Sequence, residues 1–174
     1  MTSITESIRS VKFGVLLALF TIVFGFGMGI AFGAFEDDIK DNLKASANTS
    51  KAYEGEKAKN KEKTIKKSWV YIKRAHFHAG GIGAAALALI ILLGLTSTTA
   101  LLKLIASIMV GLGSFGYPLG WLFAGLKAPA LGSTHLGKEA IAWLALPSAM
   151  LLVGGTILVL LLFIYDSFLK SSEN

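Results

Sequence analysis

Phe13 to Phe35 reads FGVLLALFTIVFGFGMGIAFGAF, twenty-three residues without a single charge. As a helix such a run is about 34 Å long, enough to cross a hydrocarbon layer about 30 Å thick. Arg9 and Lys12 precede it, and Glu36, Asp37 and Asp38 follow it. Ala31-Phe32-Gly33 would pass as a leader cleavage site within residues 1–33, but the apolar run is long for a leader. The expectation is a retained span.

Three more apolar runs follow, at about Ala75 to Leu95, Ala100 to Leu126 and Glu139 to Tyr165. A turn marked by Gly94 and Thr96 to Thr99 separates the first two, and Lys103 lies near enough to the start of its run to snorkel. Lys127 to Lys138, with Pro129, Gly132 and His135, reads as a short loop. Trp69, Trp121, Trp143 and Tyr165 fall near run ends, where interfacial aromatics belong. Apolar residues make up 53% of the chain and charged residues 16%, too little charge for an ordinary soluble domain. The reading is an all-α, integral membrane four-helix bundle, one domain over residues 1–174, in a lipid bilayer such as a bacterial inner membrane.

Residues 36–74 form a charged extramembrane arm. It is too short to bury a core of its own. It has no proline, and from Tyr53 onward it reads as helix, polar all round, extending the second span into water. Glu54, Glu56 and Glu62 lie among lysines at spacings that permit weak i,i+4 pairs. The arm reads as a solvated connector, with a docking surface for a soluble partner as the alternative. The net charge of +6 comes largely from this arm and points to lipid headgroups, with no nucleic acid implied. Orientation is divided. Arg9 and Lys12 against the acidic triplet favour a cytoplasmic N-terminus, whereas the full Lys/Arg count favours a cytoplasmic arm.

The chain has no cysteine, so disulfides, thiolate metal sites, iron–sulfur clusters and c-type haem attachment are excluded. Its three histidines, His76, His78 and His135, all lie at the arm's membrane face. Imidazole there is costly to dry out without a partner. Residues two apart on a helix point in nearly opposite directions, so His76 and His78 either precede the helix or serve different faces. His76 is followed by Gly80 and Gly83, and His78 by Gly81 and Ala85. Small residues therefore lie below each ring, and these admit a neighbouring helix or a flat macrocycle. A haem b would take one or two axial imidazoles from the three, with Arg74 or Lys73 as propionate partners. A copper or zinc site from all three is a second possibility. The plain alternative is three interfacial side chains bonded to headgroups, water or backbone.

Ala75-His-Phe-His-Ala-Gly-Gly-Ile-Gly resembles the AHxH-type helix start of small haem-copper-oxidase-like membrane proteins. The resemblance covers about a tenth of the chain, and implies low-spin haem ligation by His76 or His78. Oxygen reduction is not implied, because that superfamily has twelve spans and a histidine cluster for copper.

Gly25, Gly29 and Gly33, and again Gly116 and Gly120, form small-xxx-small patterns that predict close helix packing. Gly25, Gly27 and Gly29 resemble the ring-forming helix of rotary ATPase c-subunits, but no Asp or Glu lies within a span to carry protons. Ion-coupled transport lacks acidic groups for the same reason. Pro118 and Pro147 should bend their helices, with Tyr117 and Trp121 beside any opening. No nucleophile–base pair, nucleotide loop or catalytic carboxylate pair is visible. The leading expectation is a membrane haem b, or other His-ligated metal, protein in electron transfer. The alternative is a cofactor-free structural or accessory subunit, in a larger membrane complex or homo-oligomer, packing through glycine-rich helices. A channel or carrier ranks third.

Overall fold

The computed structural model describes residues 4–170; the ends of the expected domain, 1–3 and 171–174, lie outside them. All the secondary structure described is helical. The helices are α1 (Ile4–Asn48), α2 (Lys61–Leu95), α3 (Ala100–Leu131), the short α4 (Thr134–Glu139) and α5 (Ala142–Ile164). Four of them are long and apolar enough to cross a membrane. The chain is an integral membrane protein with an all-α, four-span architecture.

Helix α1 is broken at Phe35, where φ −134° and ψ 23° leave the helical region. The break divides the uncharged span from a polar helix that starts with Glu36, Asp37 and Asp38, acids that favour a helix N-terminus. Helix α2 starts well before the apolar run, at Lys61. Only residues 49–60 of the arm are therefore not α-helical, and they include two short 3₁₀ segments. Nor is the arm polar all round. Ile39, Leu43 and Ala47 recur every four residues, and Leu43 and Ala47 are buried. Ile39 and Leu43 share a cluster with Ile65, Trp69 and Ile72 of α2, so the helix after Tyr53 is not polar all round, and the cluster continues into the span through Met28 and Phe32.

Helix α3 is the centre of the molecule, packed against α1, α2, α4 and α5, whereas α5 rests almost entirely on α3. Small residues set these approaches. A Cβ on Gly14 would meet Ser107 at 2.6 Å, and one on Gly83 would meet Ile22 at 2.9 Å. Gly113, Gly116 and Gly120 of α3 meet Leu152, Ser148 and Ala145 of α5 in register. Hydroxyls buried between the helices have partners, as a dry interior demands. Thr21 donates to the Leu17 carbonyl (2.9 Å), Ser114 to that of Gly111 (2.8 Å), and the two hydroxyls lie 3.4 Å apart.

The turns close both ends. Gly132 ends α3 in the left-handed region (φ 82°), its N–H directed to the Pro129 carbonyl. Ser50 then ties the arm's loop to this corner, donating to the Ala130 carbonyl at 2.6 Å. At the opposite end Lys103 does not snorkel to water. It is buried, and its Nζ donates to the Gly94 carbonyl at the C-terminus of α2 (2.9 Å). Asp166 accepts from the Ser97 hydroxyl and backbone N–H, and Lys170 donates to the same hydroxyl.

Candidate functional site

His76 and His78 lie well inside α2, so the 100° rotation per residue applies and they serve different interfaces. His76 faces α1. Its Nδ1 lies 2.8 Å from the Gly25 carbonyl, so this nitrogen carries the proton and donates. The ring packs edge-on to Phe32 (centroids 5.5 Å) and against Gly29, where a Cβ would come 3.0 Å from its Cε1. The small-residue pattern at Gly25 and Gly29 thus accommodates this imidazole and the backbone at Ala79 and Gly80.

His78 faces α3. Its ring lies 5.4 Å from that of Tyr117 and 6.1 Å from Trp121, both half-buried like itself. The Arg74 guanidinium stacks over Trp121 at 4.8 Å and over Tyr71 at 5.7 Å. Such stacking holds a cation at the membrane edge. Gly83 is buried against α1, whereas Gly80 has open space where its side chain would be. His135 lies elsewhere, in α4, with an exposed ring whose Nδ1 is 3.4 Å from the Glu139 carboxylate.

The three imidazoles are not brought together. Among the described residues no group of three His, Cys, Asp or Glu side chains is placed to hold a metal ion. A cavity of about 340 Å³ does open between α3, α4 and α5, with Tyr117, Gly120 and Trp121 in its wall and His135 at its edge. That is where the Tyr117–Trp121 segment places aromatic groups beside an opening. His76 and His78 do not line it.

A larger groove, about 660 Å³, lies between the two arm helices. Leu43, Ile65 and Trp69 contribute its apolar surface, and Lys40, Lys44, Lys61 and Lys66 contribute cations. The four-residue repeat of Ile39, Leu43 and Ala47 was the signal for it, hidden by the abundance of charge. No protein-family model, curated protein or solved structure matches this chain.

Proposed function

We propose that the chain is a small accessory subunit of a larger membrane assembly, held there by the outward face of α2. The observation that carries this reading is the stripe Gly81, Ala84, Ala85 and Ala88, all exposed, with nothing near the position of a Gly81 side chain. Lipid alone gives no reason to keep an outward face this small, whereas close approach of another helix does. Phe77 and Ile91, both exposed, border the stripe at its two ends. A bacterial inner membrane is the setting proposed.

Replacing Gly81 and Ala85 with leucine tests this, since neither side chain would enter the chain's own core. A cysteine placed at Ala84 should cross-link to a neighbouring span in native membranes, and the leucine pair should abolish the adduct at unchanged helicity. A subunit that forms no adduct and migrates as a lone chain in mild detergent would remove the reading.

One observation favours a second reading, a haem b or metal protein in electron transfer. Donation from His76 Nδ1 to a backbone carbonyl fixes the tautomer and leaves Nε2 with its lone pair, as in metal-ligating histidines. The fit is limited, because neither cavity reaches His76 and no second histidine joins it. Purified protein with a Soret band that disappears in His76→Ala would establish haem. Elemental analysis of the same sample would detect copper or zinc.

A further inference from the structure

We infer that the groove between the arm helices binds an anionic phospholipid. Four lysines line it, Lys40 and Lys44 from α1 and Lys61 and Lys66 from α2, against one carboxylate, Glu62. Lys40, Lys44 and Lys66 pair with Glu36, Asp41 and Glu62 within their own helices. These are solvent-exposed pairs, weak enough for the ammonium groups to turn to a phosphate. The chemistry they select is a phosphate-bearing anion.

The apolar surface decides between a lipid and any other anion. Leu43 and Ile65 lie between the lysines, and the Trp69 ring lies beneath two cations, Lys40 at 5.7 Å and Lys73 at 5.9 Å. Trp69 in turn packs edge-on against Phe32 of the span, centroids 5.1 Å apart. Gly33, next to Phe32 in the chain, is exposed, with open space where a side chain would lie. A path therefore runs from the lysines over Trp69 and Phe32 to the lipid-facing surface of α1. A phosphodiester with acyl chains uses both ends of this path. An acidic protein segment or free phosphate would use only the lysines.

The test compares phosphatidylglycerol and phosphatidylcholine of identical acyl chains on the full chain in detergent, with retained lipid counted by native mass spectrometry. Phosphatidylglycerol should be retained preferentially. Lys40→Gln with Lys44→Gln should weaken its retention roughly tenfold, since each lysine near a phosphate contributes a severalfold factor. Lys63→Gln with Lys67→Gln, on exposed positions of α2 outside the groove, should leave it unchanged. Phosphatidylglycerol with brominated acyl chains should quench tryptophan fluorescence, and Trp69→Phe should remove that part of the quenching. Equal losses in the two lysine pairs would overturn the inference, because charge without a site would then explain retention. Equal retention of phosphatidylcholine would overturn it as well. So would full displacement of the lipid by poly-glutamate or by inorganic phosphate.

Discussion

At the scale of single residues, one position of spacing separates His76, hydrogen-bonded to α1, from His78, stacked on α3. Helical rotation left two readings, and the start of α2 at Lys61, well before both residues, selects the divergent one. The partners were not legible in the sequence, because they depend on which helices become neighbours. Tyr53 shows a different conflict. Its ring is buried beneath the Lys61 ammonium, and its hydroxyl makes no well-formed hydrogen bond. Burial pushes the phenol above its ordinary value of 10.0, and nearby Thr64 partly offsets this. A raised folded pKa means that stability is fully present below the unfolded pKa and is lost as pH rises through the folded one. Melting monitored by circular dichroism should therefore decline above pH about 10. Tyr53→Phe should remove this phenol's share of the decline and match the parent protein at pH 7. Gly132 is constrained twice, by its positive φ and by Ala52, which a Cβ would meet at 2.5 Å. Gly132→Ala should destabilise by about 1–3 kcal/mol, read as a lower melting temperature in detergent. An unchanged midpoint would show that the corner can relax.

At the scale of elements, the glycines divide into two sets. Gly116 and Gly120 were recognisable as a packing pair, but Gly113 joins the same seam without a motif to mark it, because its neighbour is Leu152 backbone. Gly25 and Gly29 bear on α2, whereas Gly27, on the opposite side, has nothing near it. Gly113→Val should separate α5 from α3 at a cost of about 1–3 kcal/mol or more, seen as cleavage of the α4–α5 segment at low protease. Gly27→Val should stay within about 0.5 kcal/mol of the parent protein. If both variants behaved alike, the seam would not be the feature that holds α5. At this same scale the helix after Tyr53 is not polar all round: Ile65, Trp69 and Ile72 fall on one face and join the cluster with α1, a stripe masked in the sequence by the lysines around it.

At the scale of the whole molecule, fold class and the number of spans followed from uncharged length. The convergence of sites did not, because length and composition carry no azimuth. The fold does place Lys127 and Lys138 at the same end as the arm, giving that end thirteen of the seventeen Lys and Arg residues. Arg9, Lys12, Lys103 and Lys170 make up the remaining four. Lys/Arg excess marks the cytoplasmic side, so the arm should face the cytoplasm despite the local charge difference across α1. The absence of native cysteine simplifies the measurement. A cysteine at exposed Asn42 should resist an impermeant maleimide in intact cells, and one at exposed Thr99 should react. The reverse pattern would invert the topology.

The near-exclusive dependence of α5 on α3 has a consequence for biogenesis. The contacts among α1, α2 and α3 need no residue of α5, so the nascent chain can close a three-helix intermediate first. The final helix then docks onto a surface already in place. A chain stopped after Ser133 should insert and resist proteolysis on its own, and a separately synthesised α4–α5 fragment should reassociate with it.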